Sequence, residues 1–437
     1  MTSTMTSTMA PRMTDHLRRT LAPLASLRLT VALIAMSIVL IFAATLAQVD
    51  KGIWRVVNEY FRSQFVRIEL DIFVPRDWAV SGWIPWPGGY VLGAALLVNV
   101  LAAHAVRFKL RWRRVGVLMI HAALIFLLVG EAVTGTLALE TQMPIYEGQT
   151  ARWSHDIRTV ELAVIDHGDA RHDDVVVVSQ AMLANADGPI RDERLPFDVH
   201  VVHFMVNARI ATIRPGAEID PEIRGLGRSL TVVELPEVSG VDEQSANYPA
   251  AFIALRRGDE DLGRYLLTPQ FTPAIVGSLF QGGGAALGLI APHDPEDQVT
   301  IIGQPVTVDG RTWHVYLRYQ RHYKPSPDLP YAMHLVDFSH DLYTGTNTPR
   351  NFSSEVQLVD AAHGEDRVAL ISMNHPLRYR GETFYQSGWL GDNRGTVLQV
   401  VANPGWLIPY VACVLGGVGM IVHFGISLFT YVTRLSS

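Results

Sequence analysis

The chain has 437 residues, with 36 Lys and Arg against 42 Asp and Glu, and it contains a single cysteine. The formal charge of −6 and the absence of long basic runs argue against a nucleic-acid-binding protein, so no nucleic-acid partner is expected. One cysteine excludes an internal disulfide framework, a CxxC redox pair and a cysteine-based zinc site.

Four apolar segments are long enough to cross a bilayer, which takes about 20 such residues. We interpret the first as a retained helix and not as a cleaved signal peptide. It is longer than a typical signal core, and it ends in a weak cleavage pattern, ATLAQVDKG. The predicted transmembrane helices are residues 27–48, 89–106, 115–136 and 404–430.

The distribution of charge predicts the orientation of these helices. The link at residues 107–114, RFKLRWRR, contains five basic residues and no acid. The positive-inside rule therefore places this link in the cytoplasm. Residues 1–26, which we expect to form a disordered tail, and the short tail at residues 431–437 then lie on the same side. Residues 49–88, rich in tryptophan, then form an extracytoplasmic loop that lies partly in the membrane interface. The expected location is the bacterial plasma (inner) membrane, with both termini cytoplasmic.

The residue pattern of the long segment at residues 137–403 is typical of β-structure. Runs such as VELAVID, DVVVVSQ and SLTVVELPEV cluster or alternate β-branched residues, and turn residues separate them at short intervals. The predicted fold is therefore that of a membrane protein with four transmembrane α-helices. A large extracytoplasmic all-β domain, antiparallel and sandwich-like, is inserted between the third and fourth helices.

This domain offers no recognisable catalytic set, because HExxH, GxSxG and Walker-type motifs are all missing from the sequence. No catalytic residue is therefore predicted. His200 and His203 lie three apart on a predicted strand, so they point to opposite faces unless a bulge intervenes, and we expect no metal site there. The run Gly282–Gly284 is interpreted as a flexible loop and not as a phosphate cradle.

Three histidines fall inside the predicted membrane helices, where ionisable groups are costly and are candidates for function. His121 lies about 10 Å along the third helix from the basic link. His104 and His423 are weaker candidates near the same ends of the second and fourth helices. A neutral imidazole in an apolar setting suits axial ligation of haem iron. The alternative is a histidine that hydrogen-bonds between helices.

The last hundred residues contain several motifs in a fixed order, and on these motifs the chain resembles the ResB (CcsB) family of cytochrome c biogenesis proteins, the system II type. Two further stretches agree at the front of the chain, LASLRLTVALI and VGVLMIHAALIFLLVG. One departure is Asn403, where the family more often has Asp before Pro-Gly. The motifs are Asp337–Phe338, Gly345, Phe352–Ser354, Asn374–Leu377, Gly381, Phe384–Gln386 and Asn403–Gly405.

The resemblance implies a function and a set of partners. Members of this family work with a second membrane protein, ResC (CcsA), to move haem across the membrane and attach it to apocytochrome c CXXCH motifs. His121 stands where the family has its third-helix histidine, an axial ligand of a transmembrane haem b shared with ResC. Iron held through that haem is the only metal expected. This chain would be a non-catalytic or co-catalytic subunit of such a haem lyase.

Two other hypotheses remain open at this point. The chain could be an apocytochrome-binding scaffold or chaperone without haem contact, since its β domain has no catalytic set. It could also be a membrane b-type cytochrome that holds haem within one chain through its three membrane histidines. The second alternative needs two helices that face each other with histidines at matched depth.

Overall fold

A computed structural model describes residues 20–75, 78, 80–107, 111–168, 172–214, 216, 218–238, 247–279, 301–324, 331–345, 349–390 and 394–435. Most of the predicted N-terminal tail, Lys109 of the basic link and Gly282–Gly284 lie outside these residues. The chain divides into two compact units. One contains the long helices, at residues 20–138 and 403–435, and the other contains most of the strands, within residues 139–402.

The helical unit contains four helices that are long and apolar enough to cross a membrane, as predicted. They have no charged residue in their central turns, and their lengths match the thickness of a bilayer core. Short helical turns at Ile53–Val56 and Val57–Phe61 follow the first helix. The four long helices are α1 (Leu27–Lys51), α2 (Gly89–Arg107), α3 (Val115–Leu137) and α4 (Ile408–Leu435).

Helix α4 begins four residues after the start predicted from the sequence and continues to Leu435. The cause is a turn that Asn403 organises: its carboxamide oxygen accepts a hydrogen bond from the N–H of Gly405 at 2.8 Å. The same side chain bonds the Thr134 hydroxyl near the end of α3, at 3.2 Å. The turn therefore ties the start of α4 to the end of α3.

Helices α1 and α2 are joined by a buried polar residue, Asn99, which is 1% exposed. Its carboxamide accepts a hydrogen bond from the Thr30 hydroxyl at 2.6 Å and donates to the carbonyl oxygens of Leu24 and Ser26. Such side chains act as polar links between membrane helices. These bonds also explain why residues 20–26, assigned to the tail from the sequence, form a helical turn and a bend before α1.

A two-stranded hairpin packs on the second half of α1. Strands β1 (Phe65–Glu69) and β2 (Trp83–Pro87) pair antiparallel, and their apolar residues share a core with the small residues of α1. The indole N–H of Trp86 donates to the Met36 carbonyl at 3.1 Å. At the far end of α1, Lys51 lies 2.9 Å from Glu59 and 3.3 Å from Glu69.

Helices α3 and α4 approach closely through glycines. A Cβ atom added at Gly116 would lie 2.5 Å from the His423 backbone nitrogen, and one added at Gly419 would lie 3.0 Å from the Gly116 carbonyl oxygen. Further along, Gly130 faces Ile408. Small residues let membrane helices pack backbone against backbone, which compensates for the lack of a hydrophobic driving force in lipid.

The strand-rich unit is an all-β antiparallel domain, as predicted. Its β-branched residues alternate in burial along the strands, as in Gln304–Val308, where every second residue is buried. The strands are β3 (Leu139–Tyr146), β4 (Thr150–Ala151), β5 (Trp153–Asp166), β6 (Asp174–Ser179), β7 (Asp198–Met205), β8 (Ala208–Thr212), β9 (Leu230–Glu234), β10 (Ala250–Arg257), β11 (Glu260–Leu267), β12 (Gln304–Val308), β13 (Arg311–Tyr323), β14 (Ala332–Leu342), β15 (Pro349–Asp360), β16 (Glu365–Ser372), β17 (Leu377–Tyr379), β18 (Glu382–Trp389) and β19 (Gly395–Ala402). Short helices lie at Gln180–Ala184 and Pro273–Leu279.

These strands form one eight-stranded sheet and three smaller ones. The large sheet has the order β12-β13-β5-β3-β19-β18-β17, with β6 paired to β5. The others are β16-β15-β14-β4, β11-β10-β7 and the pair β8-β9. All of the named strand pairs are antiparallel.

The large sheet supports two separate cores. One core lies between its β5–β13 part and the three-stranded sheet, with Leu162 and Leu317 against Ile253. The other lies between its β3–β19–β18 part and the four-stranded sheet, with Phe384 against Val356. The domain is therefore a double sandwich in which one sheet serves two partner layers.

Candidate functional site

The structure brings two of the three membrane histidines together. His104 on α2 and His121 on α3 are both partly buried, and their ring centroids lie 5.2 Å apart with the ring planes at 75°. This is an edge-to-face contact between two imidazoles. From the sequence, His104 was expected close to the headgroups and His121 deeper in the third helix, yet the two side chains meet.

Both rings are anchored to their own helices in the same way. The Nδ1 atom of His104 lies 2.7 Å from the Val100 carbonyl oxygen, and the Nδ1 atom of His121 lies 2.9 Å from the Val117 carbonyl oxygen. A carbonyl oxygen only accepts, so each Nδ1 carries the proton and donates it. In the neutral form of such a ring the lone pair is at Nε2, the arrangement that metal-binding histidines commonly use.

This donor set fits a haem. Haem iron takes nitrogen ligands from neutral imidazoles at its axial positions. The two histidines supply such nitrogens within helices whose other residues are almost all apolar. In the part of the chain that the structure describes, no group of three or more His, Cys, Asp or Glu could hold a bare metal ion.

His423 belongs to a different contact. It lies on α4 with its backbone nitrogen against Gly116 of α3, and its ring packs on Phe424 with centroids 5.4 Å apart. The structure therefore separates His423, which faces the α3–α4 contact, from the imidazole pair between α2 and α3.

The described part of the basic link exposes its guanidinium groups. Arg111, Arg113 and Arg114 are all exposed, and Trp112 between them is 83% exposed. Residues Trp112–Arg114 form a single 3₁₀ turn immediately before α3. His121 is the seventh residue after Arg114, so the cationic groups and the imidazole lie at the same end of α3.

The strand-rich unit contains histidines that do not form a site. A β-bulge at Val202 lies between His200 and His203, because the ladder to β10 shifts register there, so the regular alternation that would point the two side chains to opposite faces is interrupted. His203 lies 2.9 Å from Glu234, an exposed pair. Burial lowers the pKa of His155 to about 4, and the nearby Arg321 guanidinium acts in the same direction.

A buried charged cluster in this unit was not predicted. The Lys324 ammonium, whose side chain is 1% exposed, donates to Glu382 at 2.7 Å and to the Ser154 hydroxyl at 2.8 Å. The other carboxylate oxygen of Glu382 accepts a short hydrogen bond from the Tyr331 hydroxyl. Burial lowers the pKa of Lys324 even though Glu382 opposes that effect. The sequence signal is weak, since Lys324 and Glu382 are far apart in the chain.

Comparisons with known proteins agree with the sequence motifs. Residues 274–397 match the model of the ResB-like family. The chain is 31% identical over 93 residues to the protein NrfI of Wolinella succinogenes, and the aligned stretch covers 21% of this chain and 10% of that protein. It is 42% identical over 62 residues to the cytochrome c biogenesis protein CcsB of Picosynechococcus sp., and this alignment covers 14% of this chain and 13% of that protein. The predicted resemblance is thereby confirmed, and the matches span about a tenth of each relative's length.

Proposed function

Because the chain carries a ResB-like segment, we propose that it is a subunit of a membrane cytochrome c synthase. In this role it takes part in haem transport across the bacterial plasma membrane and in haem attachment to apocytochrome c CXXCH motifs, together with a ResC-type partner. The observation that carries the haem assignment is His121, an imidazole on an apolar helix whose Nδ1 lies 2.9 Å from the Val117 carbonyl oxygen, so that its other ring nitrogen is of the kind that binds haem iron.

Haem b is the cargo of this proposal. It is a flat, apolar ring that carries an iron atom and two propionates. Its passage through a bilayer needs an apolar path and a fixed point for the iron. His121 provides that point, and its Nδ1 bond to Val117 keeps the ring in one tautomer and limits its rotation.

The basic link has a proposed role beside its effect on topology. The exposed guanidinium groups of Arg111, Arg113 and Arg114 lie at the same end of α3 as His121. Guanidinium groups form charge-assisted hydrogen bonds with carboxylates, so they suit the two propionates of an arriving haem. The positive charge of this link is also sufficient, without any role in haem binding, to explain the proposed orientation of helices α2 and α3.

The proposed role of the strand-rich domain is to present the apocytochrome. Thioether formation adds a substrate thiol across a haem vinyl group, so it needs both partners held in register and no protein nucleophile. The domain has unpaired edges at β16 and at β12 among the strands that the structure describes. An extended CXXCH-containing segment fits such an edge by strand addition.

The proposal includes a topology with both termini in the cytoplasm and the strand-rich domain outside. We expect a reporter that is active only outside the cytoplasm to work when fused after Asp360 and to fail when fused after Leu435. Replacing Arg111, Arg113 and Arg114 together by neutral residues should weaken this preference and reduce the assembled protein. An active reporter after Leu435 in the unaltered chain would invert the topology and remove the cytoplasmic entry point for haem.

The haem assignment is tested with His121→Ala in the chain purified together with its ResC-type partner. We expect the haem content to fall at least tenfold, which corresponds to about 1.4 kcal/mol or more of lost binding free energy. The measurement is the haem absorbance per mole of purified complex. Wild-type haem content in His121→Ala would refute the ligand assignment, and the scaffold hypothesis without haem contact would then be favoured.

A further inference from the structure

One charged side chain within the long helices has no role in the proposal above. Of the Asp, Glu, Lys and Arg residues in these four helices, Glu131 of α3 alone lies more than one residue from a helix end. Its backbone is about 24 Å along the axis from Val115 and about 9 Å from Leu137, which places it inside a hydrocarbon core of about 30 Å. Charged residues in such a position are rare, and they face a partner or a water-filled cavity.

The Glu131 side chain is exposed and has no partner within the described part of the chain. None of the described residues donates a hydrogen bond to its carboxylate or forms an ion pair with it. The carboxylate extends along its own helix, because a Cβ atom added at Gly135 would meet only the Oε1 atom of Glu131, at 3.8 Å. An unpaired carboxylate at this depth indicates that a group from outside the chain meets it.

Two large apolar residues share the exposed face with Glu131. Leu124 and Leu127 are 46% and 40% exposed, and they lie seven and four positions before Glu131, spacings that place the three side chains on one side of an α-helix. The neighbouring side of α3 is occupied, since Gly130 faces Ile408 of α4. We call Leu124, Leu127 and Glu131 the open face of α3.

We propose that the open face of α3 is the docking surface for a transmembrane helix of the ResC-type partner, and that this helix places a Lys or Arg side chain against Glu131. The inference rests on the proposed function and deepens it, since it names the surface through which the two subunits meet.

Charge complementarity selects this occupant. Lipid tails offer nothing to a carboxylate, whereas a basic side chain in an apolar setting forms a strong, charge-assisted hydrogen bond with it. A second copy of this chain, docked symmetrically, would set one Glu131 carboxylate against the other. The two leucines supply van der Waals packing, and Gly135 lets a second helix come close beside the carboxylate.

The first experiment is co-purification of the ResC-type partner with the full chain, the two being expressed together and extracted in mild detergent. Glu131→Gln keeps the shape of the side chain and removes its charge. We expect it to reduce the partner recovered per mole of chain by roughly tenfold or more, because the partner's cation is left unpaired. Glu131→Asp, which keeps the charge, should retain most of the recovery. Wild-type recovery in Glu131→Gln would overturn the inference.

The matched control is Glu140→Gln, which removes an exposed carboxylate nine residues further along the chain, beyond the end of α3. It should leave the recovery of the partner unchanged, and an equal loss in both glutamine variants would also overturn the inference. Glu131→Arg should abolish recovery. Replacement of one Lys or Arg near the outer end of a partner helix by Glu should then restore it.

Photo-cross-linking identifies the occupant of the open face directly. Cys413→Ser removes the single cysteine, and Leu124→Cys is introduced in that background; Ile38→Cys on α1, where the residue is 62% exposed, provides the comparison. After labelling with a thiol-reactive benzophenone, we expect attachment to the partner at position 124 and not at position 38. Equal attachment at both positions, attachment of position 124 to a second copy of this chain, or attachment to no protein would overturn the inference.

The outcomes distinguish this inference from the proposed function. Co-purification of the partner with wild type and Glu131→Gln alike would refute the docking face and leave the proposed function intact. Failure of the wild-type chain to co-purify with a ResC-type partner would refute both.

Discussion

Glu382→Ala is expected to lower the free energy of unfolding of the strand-rich domain by about 3–5 kcal/mol, because it leaves a buried ammonium without its counter-charge. Lys324 is 1% exposed and Glu382 is 13% exposed, so water cannot replace the lost carboxylate. The Tyr331 hydroxyl loses its acceptor in the same variant. At roughly 2–4 °C per kcal/mol, the unfolding temperature of the full chain in detergent should fall by roughly 6–20 °C.

The loss should depend on pH in a defined direction. Without Glu382, burial lowers the pKa of Lys324 further below its value in the unfolded chain. The unfolded state then binds more protons than the folded state, so the stability of the variant rises as the pH rises towards the ordinary lysine pKa. The destabilisation should therefore be smaller at alkaline pH than at neutral pH.

The matched control is Glu365→Ala, which removes a surface partner of Arg367. Those side chains are 33% and 47% exposed, so the expected loss is about 0–1 kcal/mol. The double variant Lys324→Met with Glu382→Met should recover part of the stability lost in Glu382→Ala, because it removes both charges. Equal unfolding temperatures for Glu382→Ala and Glu365→Ala would contradict the account of this pair.

Gly116→Leu is the second change with a large expected effect. Its Cβ would lie 2.5 Å from the His423 nitrogen and 2.7 Å from the Gly419 carbonyl oxygen, and both are backbone atoms that cannot rotate away. Helices α3 and α4 must then separate, which costs at least the 1–3 kcal/mol typical of an overpacked core. We expect lower yield of folded protein in detergent and faster proteolysis.

Gly417 of α4 provides the control for this substitution. A Cβ added there meets nothing within 4 Å, and the residue lies only two positions from Gly419. Gly417→Ala should therefore leave yield and proteolysis unchanged or improve them slightly, since alanine is the better helix former. If Gly116→Leu matched Gly417→Ala in both measurements, the close approach of α3 and α4 would be refuted.

The sequence predicts the helices well because a run of about 20 apolar residues has few alternatives to a membrane helix. It says much less about which helix faces contact each other. The contact between His104 and His121 depends on the rotation of α2 and α3 about their axes, and no hydrophobic stripe sets that rotation when a helix is apolar on all sides. For the same reason the sequence does not show that Asn99, the one carboxamide in its helix, faces Thr30 of α1.

In the strand-rich domain, too, the elements are predictable from the sequence and their contacts are not. Alternating β-branched residues predicted strands and an antiparallel fold, but the pairing of β5 with β13 joins segments about 150 residues apart, and local patterns carry no information about such partners. The bulge between His200 and His203 depends in the same way on the pairing of β7 with β10. The Lys324–Glu382 pair joins residues that lie 58 positions apart in the chain.

The two ends of the strand-rich domain are neighbours in its large sheet. Strand β3 opens the domain and β19 closes it, and Leu139 pairs directly with Ala402. Neighbouring strands lie about 4.8 Å apart, so the chain returns almost to the point at which it left. Insertions, deletions or exchange of the whole module between these residues would leave the distance between its attachment points unchanged.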